Sequence, residues 1–213
     1  MWWSKERINW YSQAVAYTPF PKTLCKFITP YLEKTETIAE FGCGLGYVSE
    51  ELYNLGYNIK GYDIDEQALN FAKDRSKLPI FFNRDCTFNI PSSEVILAIF
   101  FGHFNDKAYL SSCLEKTNKL IILSNLHKGK KVVTKNASNI NDTLKQLQLN
   151  YTQQTLTLPF PQSFTSYEDA LEFINNYYPE HKELVEKELI IKDGQYILNN
   201  NKSILMTVIN KEY

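Results

Sequence analysis

From residue 37 to residue 124, short apolar runs alternate with amphipathic segments, and this alternation organises the chain. Residues 37–41, 58–62, 79–82, 94–101 and 120–124 read as strands, with helices predicted over 47–55 and 66–75. Gly56 sits where the first of these helices needs a C-cap, and Leu69, Phe71 and Ala72 turn inward from the second. Strands separated by helices predict an α/β fold, a doubly wound and mostly parallel sheet covered on both faces. Ahead of it, residues 4–16 read as a helix with Ser4 as N-cap and Ile8, Tyr11 and Val15 on one side. Prolines break the chain at 17–21, and a second helix is expected over 22–32.

Beyond residue 128 the rhythm changes. A helix over 140–147 and an alternating strand over 151–158 precede a loop at 160–164. Helices are expected over 167–177 and 181–189, and a closing hairpin pairs 195–198 with 203–209 across an Asn-rich turn. One domain over 1–213 results: a helical cap at 1–36, a core sheet from 37–160 and 195–213, and a helical insertion at 161–194.

Composition narrows the field. The 213 residues are 44% hydrophobic and 22% charged with a net charge of −1, ordinary for a folded globular chain. That balance disfavours nucleic acid or an anionic membrane as the main partner. Cys25, Cys43, Cys86 and Cys113 are widely spaced, without a C-x-x-C pair or a histidine at zinc-ligand spacing, so neither a structural metal nor a disulfide framework is expected. Residues 1–7 mix charge with aromatics and lack a leader's apolar stretch. The apolar run at 95–101 is far shorter than the ~20 residues of a membrane helix. A cytoplasmic protein is expected.

The candidate chemistry lies just after the first strand. Glu40-Phe-Gly-Cys-Gly-Leu-Gly46 places glycines at 42, 44 and 46 between a strand and a helix. Glycine there tolerates positive φ and lets backbone N–H groups approach a ligand, and the helix N-terminus favours a negative group. Asp63 follows Gly42 by 21 residues at the end of the second strand, where an acid can accept hydrogen bonds from a ribose diol. A nicotinamide fingerprint needs G-x-G-x-x-G, but its third glycine position is Tyr47. A nicotinamide-dependent reductase is therefore the weaker reading; a non-catalytic nucleotide-binding domain remains a third.

These residues resemble motif I of the class I S-adenosylmethionine-dependent methyltransferases, an acid followed by x-G-x-G-x-G. The likeness is good over 37–124 and topological beyond it. It implies a Rossmann-like fold with an antiparallel last strand, S-adenosyl-L-methionine as cofactor, and methyl transfer to an acceptor. It also implies a cofactor site of Glu40, Gly42, Cys43, Gly44, Gly46, Asp63, Ile64 and Phe100, with Asp85 reaching the adenine amino group and Cys86 giving a backbone N–H to the ring.

In such sheets the ligand crevice lies beyond the carboxyl ends of the strands, so residues 100–104 face the donor. They lack the Asn-Pro-Pro-Tyr-like element of amino-methylating DNA and glutamine enzymes, which favours a small-molecule acceptor. His103 is the best-placed candidate base; alternatively it only precedes a helix capped by Asn105. Tyr11, Tyr17, Phe101 and His103 form the expected substrate pocket, closed by the N-terminal aromatics and by the insertion with Phe173, Tyr177 and Tyr178. His127 with Lys128, Lys130 and Lys131 either recognises an anion or is a solvated loop, and His181 reads as surface.

Overall fold

A βαβ chain places its ligand crevice where the strand order reverses, and here that point falls between the first and fourth strands. The computed structural model describes residues 2–126 and 140–211. The chain opens with α1 (Lys5–Tyr17) and α2 (Phe20–Ile28). Then follow β1 (Thr37–Phe41), α3 (Tyr47–Asn54), β2 (Asn58–Asp63), α4 (Glu66–Ser76), β3 (Phe81–Asn83), β4 (Val95–Ile99), α5 (Lys107–Glu115) and β5 (Lys119–Asn125). After α6 (Ile140–Gln146) and β6 (Tyr151–Pro159) come β7 (Gln162–Phe164), α7 (Tyr167–Tyr177), α8 (Lys182–Glu186), β8 (Leu189–Lys192), β9 (Gln195–Leu198) and β10 (Asn201–Asn210).

The main sheet has the order β3-β2-β1-β4-β5-β10-β6. β1 to β5 pair in parallel, and β10 runs antiparallel to both β5 and β6. The fold is the expected one. Its strands are apolar on both faces, as buried parallel strands must be. Val95 and Leu97 of β4 join Ile121 and Leu123 of β5 on the face covered by α2, α3 and α4. Ile96, Ala98, Leu120 and Ile122 point to the other face, against Leu110 and Cys113 of α5 and Leu144 of α6.

The C-terminal part departs from expectation. β9 does not form a hairpin with β10; it joins β7 and β8 in a separate three-stranded sheet of order β7-β9-β8. Leu198 is buried there with Trp10, Phe164 and Ala170, and that small core draws β9 away from the main sheet. The helix expected over 181–189 stops at Glu186, and Leu189–Lys192 is a strand. Asp193 and Gly194 both have positive φ, 50° and 76°, a two-residue hairpin turn between β8 and β9.

Gly46 caps the start of α3 with φ 72°, and a Cβ on it would stand 2.6 Å from Cζ of Phe81 and 2.9 Å from Cβ of Ala72. Gly194 has φ 76° but open space around it. Gly194→Ala should therefore cost only the left-handed strain, about 1–2 kcal/mol. Gly46→Ala adds an overpacking cost of roughly 1–3 kcal/mol. Urea denaturation of the two variants checks the difference; equal losses would place Gly46 in a looser setting.

Candidate active site

The turn after β1 is fixed by its own backbone. Gly42, Gly44 and Gly46 adopt φ of 65°, 52° and 72°, a region that side-chain-bearing residues enter only at a cost. Cys43 N–H donates to the Tyr62 carbonyl at 3.0 Å, and Gly46 N–H to the Cys43 carbonyl at 2.9 Å. Gly44 N–H donates to Oδ2 of Asp63 at 2.7 Å, while Oδ1 of Asp63 accepts from the Asp65 N–H at 2.9 Å. Two aromatic rings rest on the glycine faces. A Cβ on Gly42 would stand 2.6 Å from Phe101, and one on Gly44 3.1 Å from the Trp3 indole.

Glu40 is buried beneath this turn and accepts a hydrogen bond from the Ser49 hydroxyl of α3. Gly61 of β2 makes room for that contact, since a Cβ there would lie 2.7 Å from the Ser49 oxygen. Burial pushes the Glu40 carboxyl up to about 7; the Ser49 donor restrains the rise and the Asp63 charge adds to it.

Beyond the turn opens a cavity of about 820 Å³ with walls from three parts of the chain. The first is the N-terminal segment, held at both ends. Oδ1 of Asp65 caps α4 through the N–H groups of Gln67 and Ala68, and Oδ2 accepts the Trp3 N–H at 3.0 Å. The Trp10 indole donates to Asp169 of α7 at 2.6 Å, and Gln162 donates to the Trp10 carbonyl at 2.6 Å. The second wall is the loop after β4, where Phe100 and His103 have positive φ of 55° and 79°. Such values in residues with a Cβ store about 1–3 kcal/mol each and concentrate at functional sites. The third wall comes from the insertion, with Phe173, Tyr177 and Tyr178.

Of the expected site residues, Glu40, Gly42, Cys43, Gly44, Gly46, Asp63, Ile64 and Phe100 line this one cavity, as do Tyr11, Phe101 and His103. Tyr17 does not. Six helical steps separate it from Tyr11, about 240° around α1, so the two cannot share a face. Asp85 and Cys86 also lie outside the lining. Oδ1 of Asp85 accepts from the Thr87 hydroxyl and N–H, which hold the carboxyl below its usual range. Cys86 is packed in the second core face, its carbonyl accepting from the Tyr109 hydroxyl at 3.0 Å.

His103 is exposed at the cavity rim, its ring 5.7 Å from that of Phe101 and 5.9 Å from Tyr109. Asp106, not Asn105, caps the following helix, accepting from the N–H groups of Ala108 and Tyr109. His181 is exposed, and His127 with its lysines lies outside the described residues. Among the described residues no His, Cys, Asp and Glu cluster could hold a metal.

Asp65 and Lys202, absent from the sequence-derived site, also line the cavity. Asp65 had a readable signal, an acid immediately before a helix that opens with Glu66. Lys202 had none, because a lysine among asparagines at a strand's start reads as solvated.

Residues 39–121 match the family model described as a methyltransferase domain. No curated protein matches the chain by sequence. Similar solved structures include magnesium protoporphyrin IX methyltransferase from Synechocystis PCC 6803 with bound SAM, at 12% identity and a TM-score of 0.55, covering 92% of this chain and 81% of that one. A TehB-like SAM-dependent methyltransferase from Corynebacterium glutamicum aligns at 13% identity and a TM-score of 0.51, covering 94% of this chain and 99% of that one. At such identities these two speak for the fold and not for the acceptor.

The buried Glu40 makes stability depend on pH. Folded, it binds its proton more tightly than its ordinary value of 4.5 allows, so its protonated form favours the native state below pH 4.5. That advantage is lost as pH rises to about 7. At about 1.4 kcal/mol per pH unit the loss is on the order of 3 kcal/mol. Glu40→Gln should flatten this slope and raise the denaturation midpoint at pH 8. An unchanged slope between pH 5 and 8 would show that Glu40 does not carry it.

Proposed function

We propose that the chain is a class I, S-adenosylmethionine-dependent methyltransferase whose acceptor is a small molecule held in the aromatic cavity. The observation that carries this reading is the walling of that cavity from three sides, by the N-terminal segment, the loop after β4 and the insertion. Its volume, about 820 Å³, falls in the range of roughly 300–1,000 Å³ usual for small-molecule sites. A net charge of −1 adds no broad electrostatic grip for nucleic acid. Four free and buried cysteines suit a reducing compartment, and we place the protein in the cytoplasm.

The residues present fit the cofactor. Asp63 spends one acceptor site of each oxygen on a backbone N–H and keeps further lone pairs for two ribose hydroxyls. The glycine turn brings backbone close to the ligand without a Cβ, and Ile64 and Phe100 give apolar surface beside it. Asp85 and Cys86, set back from the cavity, are left out of this assignment. When bound, S-adenosylmethionine supplies an electrophilic methyl group on a sulfonium, which an acceptor atom takes in one displacement.

What the chain contributes is placement and dryness. Alignment of two reactants can be worth an effective molarity of ~10⁵–10⁸ M, with no nucleophilic side chain required. Trp3, Tyr11 and Phe101 exclude water from the reacting end of the cavity. His103, at the rim, accepts the proton of an acceptor that must lose one.

Incubation with methyl-labelled S-adenosylmethionine and a fractionated cell extract tests the acceptor class. Label is expected in the low-molecular-weight filtrate; label confined to protein or nucleic acid would overturn the reading. Two variants then divide the site. Asp63→Ala removes charge-assisted hydrogen bonds of about 1.5–3 kcal/mol each and should raise the dissociation constant of S-adenosylhomocysteine roughly tenfold or more in calorimetry. His103→Ala should leave that constant unchanged and lower kcat for an acceptor that loses a proton. A folded Asp63→Ala protein with wild-type affinity, or a His103→Ala enzyme with wild-type kcat, would remove the respective residue from its role.

A further inference from the structure

Two cations line the cavity without a part in methyl transfer as assigned above: Arg7, whose guanidinium donates to the Trp2 carbonyl and lies over the Trp2 ring, and Lys202. Lys202 lies at the start of β10, beside the carboxyl ends of the parallel strands: two positions on, Ile204 stands opposite Asn125, the last residue of β5. Its Nζ sits 4.5 Å from the Phe160 ring centre, 4.9 Å from Phe100 and 5.4 Å from Phe20. Among the described residues no carboxylate pairs with it. Burial alone pushes its ammonium down to about 8.

The carboxylates of the cavity stand elsewhere. Glu40 is on β1, Asp63 ends β2 and Asp65 follows it. In the sheet order β10 is three strands from β1 and four from β2, about 14 and 19 Å at the usual ~4.8 Å spacing. Lys202 is thus based on a strand remote from those that carry the three carboxylates, and its Nζ reaches back to the Phe100 ring.

We propose that Lys202 anchors a carboxylate of the acceptor, which makes the substrate class a small organic acid with an apolar or aromatic body, methylated at an atom other than that carboxylate. The proposal rests on the small-molecule reading above. Ring faces offset part of a cation's lost hydration, about 0.5–2 kcal/mol, but they do not neutralise it. Lys202 is half-buried, and a partly desolvated charge without a counter-ion is a state that an anionic ligand relieves. The same rings keep water from the pair and strengthen it. Asn125 and Asn200 line the cavity too and carry amide N–H groups able to donate to the second carboxylate oxygen. The carboxylate keeps its charge throughout, because the new bond to carbon forms elsewhere on the molecule.

The test uses a matched pair of probes, 4-hydroxybenzoate and 4-hydroxybenzamide, titrated by calorimetry into the full chain saturated with S-adenosylhomocysteine. The acid is expected to bind the wild type about tenfold tighter than the amide or better, a difference of about 1.4 kcal/mol. Lys202→Gln should abolish the preference and Lys202→Arg should retain part of it. Lys202→Gln removes an uncompensated half-buried charge and should melt no lower than wild type; Lys202→Met serves as a second uncharged variant should it fold poorly. No saturable binding of the acid, equal affinities, or a preference that survives in the uncharged variants would overturn the proposal. None of these readouts needs turnover. A labelled small-molecule product alongside equal affinities defeats only the Lys202 assignment, whereas label confined to macromolecules defeats the reading on which it rests.

Discussion

The Asp63 carboxylate, shared between two backbone N–H groups, is the constraint from which the site is assembled. One oxygen holds the glycine turn through Gly44; the other fixes Asp65 at the head of α4. Asp65 in turn caps that helix and takes the Trp3 N–H. Two acids two residues apart therefore stitch the end of β2 to the turn, to a helix and to the N-terminal segment. Each link is a charge-assisted hydrogen bond, stronger and more directional than the apolar contacts around it. Their geometry fixes the turn and the head of α4 relative to each other.

The walls above obey a different logic. α1 belongs as much to the C-terminal insertion as to the sheet, because Trp10 is buried with Phe164, Ala170 and Leu198 in a core of its own. Asp169 and Gln162 bind it from that side. The cover of the cavity is thus a small unit with its own packing. It meets the start of α3 and the segment after β6 through aromatic contacts of Tyr11 with Tyr47 and Phe160.

Most of the core was legible in the sequence because parallel strands advertise themselves as continuous apolar runs between helices. The glycine turn and Asp63 were legible because their chemistry is tied to backbone spacing. Tyr17 lies outside the cavity lining because six helical steps turn it away from Tyr11. Asp85 and Cys86 came from resemblance alone; neither lines the cavity, Asp85 lying in the Thr87 turn and Cys86 in the second core face. The β8–β9 hairpin had its signal in Asp193-Gly194, overlooked beside a helical pattern that ended early. Lys202 was invisible, since only the folded position of Phe20, Phe100 and Phe160 turns a polar strand end into an aromatic box.

The place of β10 in the sheet carries a consequence for biosynthesis. Among the described residues β6 pairs only with β10, and β10 alone joins it to β5. As a ribosome delivers the chain from its N-terminus, β5 must wait with a bare apolar edge until residues 201–210 emerge. An open strand edge of that kind templates pairing with other chains. The interval between the two strands is therefore the stage at which a nascent chain most needs a chaperone, and a message cut short before codon 201 leaves that edge permanently uncovered.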